Sequence, residues 1–153
     1  MTGGTLKNDI KVEYVKAAEK LPESERILYG PSGEYYSLSL KCFKYRSPSY
    51  VYELCPFKKS TQDDGINPTP TTLGKDGVLN FDGTPKVKKL HLELSRINYF
   101  KLLMPNGSGS GCPNNLGRQT EVHFKCGVAD EITYVQEPST CVYRFDFTTP
   151  AAC

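Results

Sequence analysis

The sequence predicts an all-β domain, an antiparallel barrel or sandwich, with a short helix in front of it. Short runs of residues alternate apolar and polar side chains, and clusters of Gly, Pro, Ser and Asp separate these runs. In addition, six cysteines are spread over the chain, as in small domains held together by disulfides. With 153 residues, the chain has room for one domain of ordinary size.

Residues 5–21 have the period of an amphipathic helix. Apolar side chains recur at spacings of three and four residues: Leu6, Ile10, Tyr14, Ala17 or Ala18, and Leu21. Charges of both signs fill the other face, and Pro22 ends the pattern. This narrow stripe predicts a helix that packs on the domain or belongs to a longer helical region, not one that lies on a membrane. We therefore divide the chain into a helical segment with linker, 1–28, and a β-domain, 29–153.

From Tyr29 onward the period changes to two. The alternating runs start at Tyr36, Tyr50, Leu90, Val122 and Tyr143, and each predicts a short strand. Turn residues separate them at 30–33, 47–49, 82–85 and 105–113. Residues 63–77 have little strand character and 106–111 are Gly/Ser-rich, so we expect a long loop and a flexible loop tip. Long loops on β scaffolds often carry function, although 63–77 also fits a simple surface excursion.

Composition excludes several classes of function. The net charge is only +2, which gives no basic field for nucleic acid or an anionic membrane, and no apolar run is long enough to span one. Gly-x-Ser-x-Gly, His-Glu-x-x-His, phosphate-loop and dinucleotide motifs are missing from the sequence. Pairs of acids are present by chance in any chain with 17 of them, so they do not indicate a glycosidase. We predict a protein without catalysis, cofactor, nucleic-acid partner or membrane partner.

The cysteines favour disulfides over metal. They lie at Cys42, Cys55, Cys112, Cys126, Cys141 and Cys153. Because no two form a Cys-x-x-Cys pair and neither histidine lies close to such a pair, the spacing does not fit zinc. An even number of cysteines in a loop-rich chain predicts disulfides and an oxidising, lumenal or extracellular compartment. Six cysteines allow fifteen pairings, and the spacing alone does not choose among them.

Three motifs around the cysteines resemble one family. Residues 50–57 read Tyr-Val-Tyr-Glu-Leu-Cys-Pro-Phe and lead to Gln62, Arg118 precedes a run that carries Cys126, and 137–143 read Glu-Pro-Ser-Thr-Cys-Val-Tyr. In this order they resemble the mannose 6-phosphate receptor homology (MRH) domain family, over about Gly30 to Cys153. The resemblance implies a flattened antiparallel β-barrel that binds sugar without catalysis. It also implies three disulfides: Cys42–Cys55, Cys112–Cys141 and Cys126–Cys153.

The same resemblance implies a carbohydrate-binding set: Gln62, Arg118, Glu137 and Tyr143. Their chemistry suits a pyranose ring. Glu137 can accept hydrogen bonds from two neighbouring hydroxyls and Arg118 can donate in a planar fork. The Gln62 amide can discriminate the axial 2-hydroxyl of mannose, and Tyr143 adds a hydroxyl and a flat apolar side. The structural alternatives are a solvated loop charge for Arg118, a turn residue for Gln62, a strand-end acid for Glu137 and core packing for Tyr143.

Within the family, the sequence is most similar to the branch of the glucosidase II beta subunits, through residues 30–34, 70–74 and 149–153. This branch implies a lectin of the endoplasmic reticulum lumen that binds terminal mannose of high-mannose N-glycans. Its partner would be the glucosidase II alpha subunit, to which it recruits glycoprotein substrates. Two alternatives stay open: a gamma-type accessory domain of the lysosomal-enzyme phosphotransferase, and a structural module whose pocket has decayed.

The sequence departs from this branch at one place. The branch carries a pocket tryptophan shortly after the Leu-Gly of the long loop, whereas Leu73-Gly74 is followed here by Lys75, and the chain has no Trp. Two outcomes are compatible with this difference: another ring, such as Phe81 or Tyr99, lines the pocket, or the affinity for mannose is weakened.

The Gly/Ser-rich segment also contains a formal acceptor for N-glycosylation, Asn106-Gly107-Ser108. The triplet Asn67-Pro68-Thr69 is excluded by its proline. A triplet of this kind arises often by chance, so both the modified and the unmodified asparagine are compatible with the sequence.

Overall fold

The computed structural model describes residues 3–81 and 100–153, which form a helical N-terminal part and two β-sheets. The helices are α1 (Gly3–Ala18) and α2 (Glu23–Arg26), and short 3₁₀ helices cover Ile27–Tyr29, Tyr36–Leu40, Pro113–Asn115 and Pro150–Ala152. The strands are β1 (Phe43–Arg46), β2 (Val51–Cys55), β3 (Lys59–Asp63), β4 (Thr71–Lys75), β5 (Val78–Phe81), β6 (Phe100–Met104), β7 (Gln119–Cys126), β8 (Glu131–Ser139) and β9 (Val142–Thr149). No helix in these two ranges combines the length and apolar character needed to cross a membrane.

The strands form a four-stranded sheet, β1-β2-β3-β4, and a five-stranded sheet, β5-β6-β7-β9-β8. Neighbouring strands are antiparallel except β7 and β9, which run parallel from Gln119 opposite Val142 to Cys126 opposite Thr149. The exception arises because β9 folds back antiparallel to β8 and then lies between β8 and β7. The predicted all-β class is confirmed, with this one parallel pair in an otherwise antiparallel architecture.

Aromatic side chains join the two sheets in the core. In β9 every second residue is buried, so Tyr143, Phe145 and Phe147 face inward. Phe147 meets Phe43 of the other sheet edge to face, with ring centroids 4.9 Å apart, and Phe145 meets Tyr52 in the same way at 5.9 Å. Such pairs stabilise a core beyond the area that they bury, so β9 and β2 are held in a fixed relation.

The predicted strand at Tyr36 is wrong, because Tyr36–Leu40 is a 3₁₀ helix. The backbone N–H groups of Tyr36 and Lys41 donate to the carbonyls three residues earlier, at Gly33 and Leu38. Leu38 is fully buried while Leu40 is 61% exposed, so the alternating residues do not share one face. A run of five residues is too short for its period to separate the two structures. The predicted strand that starts at Leu90 and the turn at 82–85 lie outside the described residues.

The segment 63–77 is not all loop, since β4 occupies its second half. Gly74 permits this, because a Cβ at that position would overlap the carbonyl oxygen of Met104. Residues 105–118, hereafter the Arg118 loop, lie beside β4: the N–H of Ser108 donates to Thr72 and the N–H of Gly107 donates to Arg118, each at 2.8 Å. The Gly/Ser-rich tip is therefore tied down by backbone hydrogen bonds, contrary to the flexible tip that its composition predicts.

The six cysteines form the same three pairs that the family resemblance implies. Cys42–Cys55 joins the start of β1 to the end of β2. Cys112–Cys141 joins the Arg118 loop to the turn between β8 and β9, and Cys126–Cys153 joins the end of β7 to the C-terminal 3₁₀ helix. The second bridge therefore links two segments on which the sequence predicts sugar-binding residues.

Helix α1 packs on the β-domain through one acidic side chain. The Tyr14 hydroxyl and the Thr149 hydroxyl donate to the Asp130 carboxylate at 2.8 Å and 2.6 Å. Near the end of the helix, Ala18 is fully buried against Gly33, where a Cβ would lie 2.6 Å from that of Ala18. The helix thus contacts both the chain that follows it and the last strands. The division at residue 28 stays a prediction.

Candidate carbohydrate-binding site

The four predicted site residues come from separate elements and meet at one end of the two sheets. Gln62 lies near the end of β3, Arg118 directly precedes β7, Glu137 lies in β8 and Tyr143 begins the buried row of β9. The paired register aligns Gln62 with Tyr52 on the neighbouring strand and aligns Thr120, two residues after Arg118, with Tyr143. Two tyrosines, Tyr52 and Tyr143, connect the four side chains to each other.

Gln62 is fixed by Tyr52. Its Nε2 donates to the Tyr52 hydroxyl at 3.1 Å, across the directly opposed positions of β2 and β3. Burial raises the pKa of Tyr52, and the hydrogen bond from Gln62 opposes that rise. Tyr143, Tyr50 and Glu137 lie close enough to raise the pKa further. The Gln62 amide is therefore part of one polar group with residues of β8 and β9.

Carbonyl groups of the Arg118 loop accept hydrogen bonds from the Arg118 guanidinium. Its Nη1 donates to the carbonyls of Ser108 at 2.9 Å and Ser110 at 2.7 Å. Its Nε is buried and has no hydrogen-bond partner among the described residues. An unpartnered buried N–H carries a desolvation cost. The loop thus fixes one side of the guanidinium and leaves donors on the other.

Glu137 is exposed and sits in an irregular part of β8, where the register with β9 shifts between Gln136 and Ser139. Its Oε2 accepts a hydrogen bond from the backbone N–H of Cys141 at 2.7 Å. Cys141 has a positive φ of 65°, an unfavourable conformation for a residue with a Cβ. The carboxylate therefore supports the turn that leads into Tyr143 and keeps its Oε1 without a hydrogen-bond partner among the described residues.

Tyr143 is 4% exposed, yet its hydroxyl faces charged neighbours. Burial raises its pKa, the Arg118 guanidinium lowers it through a side-chain hydrogen bond, and the Glu137 carboxylate raises it. The phenol therefore lies close to both a cation and an anion, which come from different elements. Core packing, the structural alternative for Tyr143, describes its ring but not its hydroxyl.

Tyr50 is a rim residue that the sequence reasoning did not assign to the site. It precedes β2 at the β1–β2 turn and is 37% exposed. Its ring lies 5.9 Å from that of Tyr52, and it lies close enough to Tyr52 and Tyr143 to raise the pKa of both. The alternation of Tyr50 and Tyr52 is the signal that could have found both, since side chains two apart on a strand share a face.

Lys75, the residue that follows Leu73-Gly74, lies at the end of β4 away from Thr71, which pairs with Gln62. It is opposite Lys59, three residues along β3 from Gln62, which corresponds to roughly 10 Å. The side chain of Phe81 and the whole of Tyr99, the suggested substitutes, lie outside the described part of the chain.

A separate cavity of about 590 Å³ lies on the outer face of the five-stranded sheet, around His123, Arg144 and Asp146. None of the four predicted residues lines it. Two of its polar side chains contact acidic neighbours: Arg144 contacts Asp146 at 2.8 Å and His123 contacts Glu121 at 3.2 Å. Within the described ranges, no group of three or more His, Cys, Asp and Glu side chains is placed to hold a metal.

Comparison with known proteins identifies the family. The family model for glucosidase II beta subunit-like proteins matches residues 5–153. The chain is 34% identical over 125 residues to the human glucosidase 2 subunit beta, covering 82% of this chain. It is 29% identical over 154 residues to the protein of the same name from Oryza sativa subsp. indica, covering 94%. These alignments cover 21% and 22% of the relatives, so the chain spans about a fifth of their length.

One further relative and two solved structures extend the comparison. The human N-acetylglucosamine-1-phosphotransferase subunit gamma is 30% identical over 118 residues, which is 77% of this chain and 34% of that protein. A crystal structure of the MRH domain of glucosidase II beta bound to mannose matches with a TM-score of 0.51 and 25% identity, covering 78% of this chain and 99% of that one. The MRH domain of Yos9 complexed with alpha3,alpha6-Man5 shares the fold at a TM-score of 0.55 and 18% identity, covering 94% and 90%.

The fold, the disulfides and the family match lead to one assignment. The family model extends across the helix and the β-domain, and the solved structures share the arrangement of the sheets. The chain belongs to the glucosidase II beta subunit-like family, and its β-domain is an MRH domain.

Proposed function

We propose that this chain is a non-catalytic lectin domain that binds terminal mannose of high-mannose N-glycans through Gln62, Arg118, Glu137 and Tyr143. The observation that carries the proposal is the convergence of these side chains, from separate elements, around the hydroxyls of Tyr52 and Tyr143. Mannose in the solved MRH domain of glucosidase II beta supports the choice of ligand.

The donors and acceptors that these side chains leave available match the hydroxyls of a pyranose ring. Glu137 has Oε1 available as an acceptor, Gln62 has Oε1 available because its Nε2 is bonded to Tyr52, and Arg118 has donors that its loop does not use. Sugar hydroxyls both donate and accept, so vicinal hydroxyls can bridge such acceptors and donors. A wrong epimer leaves one buried partner unpaired, at a cost of about 1–3 kcal/mol.

Tyr50 supplies the aromatic side of the proposed site. Its ring is exposed at the rim, where the apolar face of a bound pyranose can pack on it. The proposal therefore does not depend on a tryptophan.

The larger role that we propose is the recruitment of glycoproteins to the glucosidase II alpha subunit in the endoplasmic reticulum lumen. The support is the family match, together with three disulfides that need an oxidising compartment. A weak lectin site tethered near an active site raises the local concentration of glycoprotein substrates. Because the chain spans about a fifth of its relatives, this role requires the whole protein.

A second candidate function is that of a phosphotransferase gamma-type accessory domain, favoured by the 30% identity to that human subunit. Both candidates use an MRH fold, so the fold does not separate them. The two candidates are distinguished by whether the full-length protein associates with a glucosidase or with a phosphotransferase catalytic subunit. A decayed pocket, the third candidate, predicts that the oxidised domain binds no sugar.

Calorimetric titration of the oxidised chain with a high-mannose N-glycan tests the lectin proposal. We expect saturable binding that Arg118→Ala abolishes and that Arg144→Ala leaves unchanged, because Arg144 lies on the outer face and pairs with Asp146. No binding by a correctly disulfide-bonded sample would contradict the proposal, as would binding that survives Arg118→Ala.

A further inference from the structure

Tyr52 combines a core ring with a hydroxyl that belongs to the candidate site. It is 8% exposed, and its ring meets Phe145 edge to face at 5.9 Å and lies 5.9 Å from the Tyr50 ring. Its hydroxyl accepts the hydrogen bond from Gln62 at 3.1 Å. The packing on both sides gives the hydroxyl a fixed position rather than the freedom of a surface group.

The hydrogen bond decides which end of the Gln62 amide a ligand meets. A carboxamide carries an acceptor oxygen and a donor nitrogen that are related by a half-turn of the terminal torsion. Tyr52 engages the nitrogen, so the oxygen is left for the ligand. An acceptor at this point selects a ligand group that donates, such as a correctly placed hydroxyl.

We propose that Tyr52 is a positioning residue that holds the Gln62 amide with its oxygen toward the ligand and thereby sets the selectivity of the site for the axial 2-hydroxyl of mannose. This inference rests on the proposed mannose-binding function. It adds a residue from outside the predicted set of four, and it assigns Tyr52 an effect that acts through Gln62.

The protonation of Tyr52 is consistent with this role. Burial raises its pKa above the ordinary value of 10.0, so the phenol is neutral at physiological pH. The hydroxyl accepts from Gln62 and retains its own proton, for which the hydrogen bonds of the described residues provide no acceptor. Tyr143 is hydrogen-bonded to Arg118 as Tyr52 is to Gln62, and burial raises its pKa as well. Two neutral phenols therefore lie near the Glu137 carboxylate.

The experiment compares two sugars and three proteins. Tyr52→Phe removes the hydroxyl and keeps the ring, and Tyr45→Phe is the matched control, because Tyr45 lies directly opposite Tyr52 on β1 and its hydroxyl makes no hydrogen bond with the described residues. Methyl α-mannoside and its 2-deoxy analogue are titrated into the wild type and both variants by calorimetry. The second readout is the side-chain amide resonances of Gln62 without ligand, in a ¹H–¹⁵N spectrum.

In the wild type, we expect the 2-deoxy sugar to bind more weakly than mannoside. In Tyr52→Phe, mannoside affinity should fall roughly three- to tenfold, the contribution of one neutral hydrogen bond, and most of the difference between the sugars should disappear. The Gln62 amide resonances should shift in Tyr52→Phe, and Tyr45→Phe should behave as the wild type in both readouts.

Three results overturn the inference. If the wild type binds mannoside and Tyr52→Phe retains both the affinity and the 2-deoxy difference, Tyr52 does not set selectivity, while the lectin function stands. If Tyr52→Phe loses affinity equally for both sugars, its effect does not pass through the 2-hydroxyl. If the wild type binds neither sugar, the proposed function itself fails and the inference falls with it.

Discussion

The Glu137 carboxylate accepts a hydrogen bond from the backbone N–H of Cys141 at 2.7 Å, so an acid proposed to bind sugar also closes the turn between β8 and β9. Cys141 in turn is bridged to Cys112 of the Arg118 loop. The turn, the bridge and the loop together place a carboxylate and a guanidinium close to the Tyr143 hydroxyl. In this MRH domain, the geometry of the candidate site is therefore part of the architecture of the fold.

Removing the charge of Glu137 should affect binding far more than stability. Glu137→Gln keeps the shape but replaces a charged acceptor with a neutral one, and hydrogen bonds to charged groups contribute about 1.5–3 kcal/mol. We expect mannose affinity to fall about 10- to 100-fold, measured by calorimetry. Glu131→Gln, at the exposed start of the same strand, is the control. Unchanged affinity in Glu137→Gln would remove Glu137 from the site.

The Cys112–Cys141 bridge should stabilise the fold and support binding. It closes a separation of 29 residues, for which the chain-entropy model gives about 3–4 kcal/mol. Replacing both cysteines with Ser should lower the free energy of unfolding by that amount. It should also weaken mannose binding, because the Arg118 loop is then no longer linked to the turn that Glu137 supports.

The matched control replaces Cys42 and Cys55 with Ser. This bridge spans 13 residues at the end of the β1–β2 hairpin that lies away from Tyr50, and its loss should cost about 3 kcal/mol. We expect this variant to bind mannose like the wild type under conditions where both remain folded. Equal loss of binding in the two double variants would show that the first bridge has no special relation to the site.

The exposed ring of Tyr50 should contribute to affinity and little to stability. Tyr50→Ala removes a side chain that is 37% exposed at the rim, and loss of a sugar–aromatic contact costs on the order of 1 kcal/mol, or about fivefold in affinity. Tyr134→Ala, a 52% exposed tyrosine of the edge strand β8, is the control. Both should unfold near the wild-type temperature, and only the first should bind mannose more weakly. Equal affinities would leave the proposed site without its aromatic side.

Alkaline pH should weaken the docking of α1. Burial and the hydrogen bond with Asp130 raise the pKa of Tyr14 above its ordinary value of 10.0, so the folded chain retains the phenol proton at a pH where the unfolded chain has released it. Such a group contributes its stability below the unfolded pKa and loses it as the pH rises toward the folded pKa. The unfolding temperature of the wild type should therefore fall from about pH 9.5 to pH 11.

Tyr14→Phe should be less stable than the wild type at pH 8 by about 1 kcal/mol, the contribution of one hydrogen bond, and its unfolding temperature should fall less steeply with pH. Part of the slope should remain, because burial also raises the pKa values of Tyr35, Tyr52 and Tyr143. Tyr134→Phe, at an exposed position, is the control. Parallel pH profiles for Tyr14→Phe and the wild type would contradict the linkage.

We propose that Asn106 is an N-glycosylation site. Its side chain is exposed, and it lies two residues before Ser108, whose carbonyl holds Arg118. Expression in a secretory pathway should give a mass increase that a glycosidase removes and that Asn106→Gln abolishes. Asn67→Gln should leave the mass increase unchanged, because a proline follows Asn67. An unmodified wild-type chain would contradict the proposal.

The sequence predicts best those features that involve several residues of one type at fixed spacing. Helix α1 and the strands that carry Tyr52, Val122 and Tyr143 follow from the periods of their apolar residues, three to four residues in the helix and two in the strands. The cysteine pairs follow from the family resemblance and not from the spacing. The strand prediction for Tyr36–Leu40 is wrong, because a short 3₁₀ helix and a short strand can have the same order of apolar and polar residues.

The identities of the candidate site residues can be predicted from the sequence, but the contacts among them cannot. The family motifs single out Gln62, Arg118, Glu137 and Tyr143, whereas nothing in the sequence links Gln62 to Tyr52 or Glu137 to Cys141. These contacts depend on strand register and on a turn with positive φ, which arise only when the sheets are assembled. The same holds for Lys75, whose distance from Gln62 follows from the register of β3 and β4.

The most direct test of the central claim is a ¹H–¹⁵N titration of the oxidised chain with mannose. The account predicts that saturable shifts concentrate at Gln62, Arg118, Glu137, the Cys141 amide and Tyr143, while the outer-face residues around His123 and Asp146 stay unchanged. Shifts confined to the outer face, or a spectrum of the folded chain that does not change with mannose, would contradict it.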